Sequence, residues 1–95
     1  MKKNKIKLSL YDAIIECVAI QQKQQIIENR RVQCMNTILK KYGYTEMDMI
    51  NEMKNGHFND VETAMDNGRK KFKNSIEYKQ WLIKQKIEKI ANDFN

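Results

Sequence analysis

The sequence predicts an all-α fold, and two features support this prediction. Proline is absent, and glycine occurs only at Gly43, Gly56 and Gly68, so few residues interrupt a helix. Apolar residues recur at three- and four-residue spacing over most of the chain, which is the period of an amphipathic α-helix. We therefore predict a small helical bundle that forms a single domain, residues 1–95.

Capping patterns and glycines set the predicted helix boundaries. Ser9 with Asp12 resembles a capping box, and no glycine follows until Gly43, where a left-handed turn would end the helix. The first helix is therefore predicted to be long, about residues 9–42. A second helix is predicted at about 45–55, with Thr45 and Asp48 as its N-terminal cap. A third is predicted at about 59–67, capped by Asn59 with Glu62 and ended by Gly68. A fourth is predicted at about 75–94, capped by Asn74 or Ser75.

The predicted first helix has apolar residues on two nearly opposite faces. One face includes Val18 and Val32, and the other includes Ile20 and Ile27. A single small domain has few elements with which to cover both faces. We therefore predict that a second chain lies against this helix, either a homodimer partner or another protein.

The stretch QQKQQ, residues 21–25, places polar side chains in the middle of this helix. In a dimer, Gln21, Gln25 and Glu28 would form a paired polar layer that fixes the register of the two helices. Two alternatives remain open. The middle of the helix is solvated, or the helix breaks near Gln22.

The C-terminal helix combines a regular apolar stripe with an aromatic cluster outside it. The stripe has the spacing of a core-facing surface and consists of Ile76, Ile83, Ile87, Ile90 and Phe94. Aromatic anchors dominate many protein interfaces. The residues predicted to bind a partner are Tyr78, Trp81 and Leu82, together with Ile20 and Ile27. The alternative is that the same chain covers Trp81.

The net charge of +6 is concentrated at the two ends of the chain. Residues 1–10 carry +4 and residues 68–95 carry +5, whereas residues 44–67 carry −5. We expect residues 1–8 to form a flexible basic arm. An alternative function is nucleic-acid binding, with phosphates contacted by Arg69, Lys70, Lys71 and Lys73. The acidic middle helices argue against a DNA-reading helix-turn-helix.

Catalytic and metal-binding patterns are missing from the sequence. It has no nucleotide-binding glycine loop and no nucleophile motif, and His57 is the single histidine. We therefore predict no enzymatic activity, cofactor, metal or small-molecule substrate. On one continuous helix Cys17 and Cys34 would lie about 25 Å apart, too far for a disulfide, so free and mostly buried thiols are expected.

The location predicted for the protein is the cytoplasm, without membrane association. Free thiols fit a reducing compartment, and no secretory signal or stretch of about 20 apolar residues is visible. The abundance of lysine, asparagine and isoleucine is typical of AT-rich genomes, among them those of phages and other mobile elements.

The segment from Leu39 to Met65, LKKYGYTEMDMINEMKNGHFNDVETAM, resembles the ubiquitin-associated type of three-helix module, which also opens elongation factor Ts. The matching features are the Tyr42-Gly43-Tyr44 turn, apolar Ile50 and Met53, and Asp60-Val61-Glu62 before Ala64. The resemblance implies protein binding through the turn. Together these features predict a non-enzymatic protein-binding regulator, adaptor or inhibitor that acts through helical surfaces.

Overall fold

A computed structural model describes residues 8–93 and confirms the all-α fold class. In that range the chain forms α-helices and no strand. The helices are α1 (Leu10–Gln22), α2 (Met35–Leu39), α3 (Glu46–Glu52), α4 (Phe58–Lys73) and α5 (Ile76–Asp93). A π-helical turn extends α1 through Lys23–Ile27, and the 3-10 turn Lys40–Tyr42 extends α2. The segment Met53–His57 joins α3 to α4 through a kink at Gly56. Residues 1–7 of the predicted basic arm lie outside the described range.

The prediction of one long first helix is wrong, because the chain leaves the helix after its π-helical turn and starts the next only at α2. The Glu28 N–H donates to the Lys23 carbonyl oxygen, and the Arg30 N–H donates to that of Gln24, both at 3.0 Å. Between these bonds Asn29 adopts a φ of +48°, a left-handed conformation that asparagine tolerates. The helix does break, but at Asn29 and not near Gln22, because Gln22 and Lys23 keep helical dihedral angles.

The close packing of α4 against α1 accounts for a second correction. A Cβ atom added to Gly68 would lie 2.6 Å from Val18 Cβ and 2.8 Å from the Ile15 carbonyl oxygen. Any side chain at this position would therefore push the two helices apart. The predicted helix end at Gly68 is wrong, because this glycine permits helix contact and α4 continues to Lys73.

The junction between α3 and α4 also differs from the prediction. Gly56 has a φ of +95°, which bends the chain between the two helices. After this bend α4 begins at Phe58, so Asn59 lies inside the helix and is not its cap. Its carbonyl oxygen accepts a hydrogen bond from the Thr63 hydroxyl at 2.9 Å.

Other predicted helix ends are confirmed. The Ser9 side chain accepts a hydrogen bond from the Asp12 N–H at 3.1 Å and caps α1. Thr45 and Asp48 form the predicted capping box at the start of α3, with bonds of 3.2 and 2.8 Å. Gly43 has a φ of +86° and ends a helix as predicted, although that helix is the short α2.

The hydrophobic core lies between the first four helices. Its largest fully buried side chains are Ile14, Cys17, Ile38, Leu39 and Val61. In the part of the chain that the structure describes, no residue of α5 belongs to this core. Helix α5, whose apolar stripe was predicted from the sequence to face the core, therefore contributes no residue to it.

Later segments of the same chain cover much of α1. Val18 is buried, and Ile20, Ile27 and Val32 are half-buried. The predicted dimer required two uncovered faces along a long rod, and the short, covered α1 does not meet that condition. Dimerisation thus remains a prediction without its original physical reason.

Candidate protein-binding surface

Helix α5 is attached to the rest of the molecule through its first turns. The Ser75 side chain accepts a hydrogen bond from the Tyr78 N–H at 3.1 Å, which caps the helix as predicted. The Tyr78 ring packs on Phe72 of α4 with a centroid distance of 4.9 Å, and Trp81 stacks on Tyr78 at 5.8 Å. The aromatic side of α5 therefore faces the body of the protein.

An ion pair reinforces this attachment. Lys23, at the end of α1, lies 2.9 Å from the Glu77 carboxylate in the first turn of α5. The hydrogen bond from Lys23 to Glu77 raises the pKa of the lysine. Both side chains are well exposed, so we expect the pair to orient α5 more than to stabilise it.

The opposite side of α5 carries an exposed row of isoleucines, which we call the isoleucine face: Ile76, Ile83, Ile87 and Ile90. Their exposed fractions are 71%, 58%, 61% and 55%. The prediction that this stripe faces the core is wrong, because α1 and α4 cover each other and α5 docks through its aromatic side. Phe94, the fifth predicted member, lies outside the described residues.

The residues predicted from sequence to bind a partner differ in their exposure and surroundings. Ile27 and Trp81 line the same groove, between the end of α1 and α5. Ile20 packs against the hydrophobic core, while Leu82 is exposed. Tyr78 and Trp81 are half-buried by their own chain, as the alternative for Trp81 stated. A role for these five residues in partner binding remains a prediction.

The glutamines at the end of α1 hold the segment that follows it. Gln24 is 3% exposed, and its side-chain amide donates to the Gln33 side chain at 2.7 Å and accepts from the Gln33 N–H at 2.9 Å. The Gln21 side chain donates to the Gln33 carbonyl oxygen at 3.0 Å. Three hydrogen bonds thus fix Gln33 against α1.

The predicted polar layer of Gln21, Gln25 and Glu28 would lie between two chains, and it stays a prediction. Gln25 is exposed, and exposed Glu28 pairs with Arg30 at 2.5 Å. Sequence reasoning missed Gln24, although Gln24 lies seven residues after the buried Cys17 and therefore on the same helix face. That spacing was the available signal.

The basic run at the end of α4 is exposed but partly neutralised. Arg69 pairs with Asp66 at 2.7 Å, and Lys71 pairs with Glu16 of α1. Lys70 and Lys73 are exposed on the same last turns. The run therefore offers phosphates less positive charge than its sequence suggests.

The two cysteines are free and differ in environment. Cys17 is buried, and desolvation raises the pKa of its thiol to about 11. Cys34 is exposed, so the expectation of a buried thiol is wrong for it, since the broken helix leaves it in front of α2. Its Sγ lies 3.0 Å from the Thr37 hydroxyl, and this hydrogen bond lowers the pKa of Cys34.

Tyr11 links α1 to α3. Its hydroxyl donates to a Glu52 carboxylate oxygen at 2.6 Å. This hydrogen bond raises the pKa of Tyr11 to about 12.

Over residues 8–93, no three His, Cys, Asp or Glu side chains are grouped so that they could hold a metal ion.

Comparisons with known proteins found no relative of this chain. No protein-family model matches the chain, and neither the curated proteins nor the solved structures gave a match. The resemblance of residues 39–65 to the ubiquitin-associated module therefore stays a hypothesis.

In residues 8–93, no helix has the length and apolar character that crossing a membrane requires.

Proposed function

We propose that this protein is a non-enzymatic regulator, adaptor or inhibitor that binds another protein through the isoleucine face of α5. The observation that supports the proposal is the exposure of four isoleucines in a row on one helix, each by more than half. Exposed apolar side chains grouped on one face of a helix are typical of binding sites.

Burial of the isoleucine face would contribute free energy to binding. Burying one isoleucine side chain contributes about 1.5 to 3 kcal/mol. Several such side chains, buried together, offset much of the cost of association, which is at least about 4 kcal/mol. Since the isoleucines are outside the core, covering them requires no rearrangement of the fold.

The attachment of α5 prepares the helix for binding. The cap at Ser75 and the contact between Tyr78 and Phe72 fix where the helix begins and which side faces outward. A helix of 18 residues is about 27 Å long, which allows a partner to contact all four isoleucines. Preorganised surfaces lose less conformational entropy when they bind.

Paired substitutions on α5 test this proposal. The double variant Ile83→Ser/Ile87→Ser removes the centre of the isoleucine face, while Leu82→Ser removes an exposed apolar residue from another side of the same helix. We expect the double variant to lose at least about tenfold in binding, as removal of buried anchors does, and Leu82→Ser to lose little. Binding is measured by quantitative capture of partners from source-cell extract on immobilised protein.

Circular dichroism and thermal unfolding of the same variants provide the control. Both should retain the wild-type fold because the substituted residues are exposed. Equal capture by wild type and double variant would contradict the proposal. Loss of capture with Leu82→Ser alone would instead favour the sequence-predicted surface around Tyr78 and Trp81.

The alternative function, nucleic-acid binding, has less support. Arg69 and Lys71 already pair with carboxylates of the same chain. The remaining exposed lysines of that run, Lys70 and Lys73, make a small patch for phosphate contacts. Binding to duplex or single-stranded DNA that weakens steeply with salt would favour this alternative.

A further inference from the structure

We infer that the partner of the isoleucine face is an amphipathic helix whose apolar seam is flanked by acidic side chains. This inference rests on the proposed function and adds the chemistry of the partner. It follows from the spacing of the isoleucines, from the charges beside them, and from the poor fit of a second copy or a membrane.

The spacing on α5 indicates a helical occupant. Residues Ile76, Gln80, Ile83, Ile87 and Ile90 alternate in steps of four and three, which is the a and d pattern of a coiled-coil seam. At 100° per residue the four isoleucines fall within about 60° of the helix circumference. Such a narrow stripe suits another helix, whose apolar side chains pack between those of α5.

Lysines border this seam on both sides. Lys79 and Lys86 lie along one border and Lys84 along the other, and all three are exposed. Of the carboxylates on α5, Glu77 lies on the Lys84 border and pairs with Lys23, Asp93 follows Lys86 on the other border in the last turn, and Glu88 lies on the far side. From Lys79 to Lys86, the borders of the seam are therefore positive, and residues beside a seam select partners by charge.

A second copy of α5 fits these borders poorly. In a parallel pair, Lys79 would face Lys84 of the other copy, because flanking residues five positions apart meet across a coiled coil. In an antiparallel pair centred between Ile83 and Ile87, Lys84 and Lys86 would each face their own copies. Like charges in these positions destabilise the pair, whereas glutamates or aspartates on a partner would stabilise it.

A membrane surface also fits less well than a helix. Interfacial helices have a broad apolar face that commonly includes the aromatic residues. Here Trp81 lies on the opposite side of α5 and stacks on Tyr78. The polar Gln80 within the seam would also be costly in a lipid environment, while a helical partner can offer it a hydrogen bond.

Two matched synthetic peptides test the inference with the full chain. Both are four-heptad helices with isoleucine and leucine in the seam. One carries glutamate at the positions that flank the seam, and the other carries lysine there. Fluorescence anisotropy of the labelled peptides should show the glutamate peptide binding about tenfold more tightly. Each flanking ion pair contributes a few tenths of a kcal/mol, and each like-charge pair with the lysine peptide costs a similar amount.

Charge reversal on the protein gives the matched test of the lysines. The triple variant Lys79→Glu/Lys84→Glu/Lys86→Glu should prefer the lysine peptide, and added salt should reduce the preference of both proteins. If wild type binds both peptides equally, prefers the lysine peptide or binds neither, the inference is overturned.

The variant Ile83→Ser/Ile87→Ser separates this failure from failure of the proposed function. If this variant binds the glutamate peptide as tightly as wild type does, the isoleucine face is not the binding site. The proposed function and the acidic-helix inference then both fail. Should it lose binding to extract partners while the peptides show no charge preference, only the acidic chemistry is wrong.

Two further outcomes would name another occupant. A dimer in sedimentation experiments that the double isoleucine variant abolishes would show that a second copy covers the face. Binding to phosphatidylglycerol vesicles, lost in the same variant, would show that a membrane does. Either result overturns the acidic-helix inference, and we expect neither.

Discussion

Gly68 shows how one residue sets the distance between α1 and α4. A glycine inside a helix usually destabilises it, by about 1 kcal/mol relative to alanine. Here the helix tolerates that cost because an alanine Cβ would lie 2.6 Å from Val18 Cβ. The contact involves the stem of a side chain and backbone, neither of which can move aside easily.

We predict that Gly68→Ala lowers the free energy of unfolding by about 1 to 3 kcal/mol, because overpacking outweighs the gain in helix propensity. Urea denaturation followed by circular dichroism measures the change. The exposed neighbour in the same helix serves as control, and Asn67→Ala should be neutral or slightly stabilising. A stabilised Gly68→Ala variant would show that the two helices separate at little cost.

The two thiols provide a second test at the residue scale. Only the thiolate reacts with alkylating reagents. Burial raises the pKa of Cys17 to about 11, whereas the hydrogen bond from Thr37 lowers the pKa of the exposed Cys34. At neutral pH the reactive thiolate should therefore be found at Cys34.

We predict that iodoacetamide modifies Cys34 in the native protein and leaves Cys17 intact, as peptide mass spectrometry would show. As pH rises, the rate at Cys34 should reach its plateau at a lower pH than that of an ordinary thiol, because its thiolate forms earlier. Thr37→Val should move the plateau to higher pH. Equal modification of both cysteines in the folded state would contradict the burial of Cys17.

At the scale of elements, the end of α1 depends on a glutamine. Gln24 binds both the backbone N–H and the side chain of Gln33, so it closes the segment between α1 and α2. This explains why glutamines follow a strongly apolar helix. Their amides can satisfy the backbone of a neighbouring segment that has no regular secondary structure.

We predict that Gln24→Leu destabilises the protein by about 1 to 3 kcal/mol, since it leaves the Gln33 N–H without its partner. Amide hydrogen exchange at Gln33 should become faster, which NMR can measure. The exposed Gln25 gives the matched control, and Gln25→Leu should change neither stability nor exchange. Unchanged exchange in Gln24→Leu would show that the hydrogen bond is unimportant for this segment.

At the scale of the whole molecule, features that depend on neighbouring residues in the sequence were predicted correctly more often than features that depend on contacts between distant residues. The helical class, the caps at Ser9 and Thr45 and the turn at Gly43 were correct because each depends on residues within one turn of helix. The prediction of a continuous first helix was wrong because the end of this helix depends on a hydrogen bond between Gln24 and Gln33, which lie nine positions apart in the sequence. A glycine pattern likewise cannot distinguish a helix end from a helix contact, as Gly68 shows.

The partner-binding residues predicted on α5 lie on its aromatic side, whereas the isoleucine face that we propose lies on the opposite side of the same helix. Spacing identifies an apolar stripe on α5 without showing whether the chain itself covers it. That choice depended on how α1 and α4 pack, and their mutual contact left Tyr78 and Trp81, not the isoleucines, to dock α5. The exposed isoleucines became visible only once the positions of all helices were known.

The absence of α5 from the hydrophobic core separates two selective pressures on the sequence. If the isoleucine face binds the partner, as we propose, substitutions at Ile83 or Ile87 would alter recognition while the other helices keep the protein folded. On this proposal, a lineage could exchange one binding partner for another through substitutions that leave the hydrophobic core unchanged.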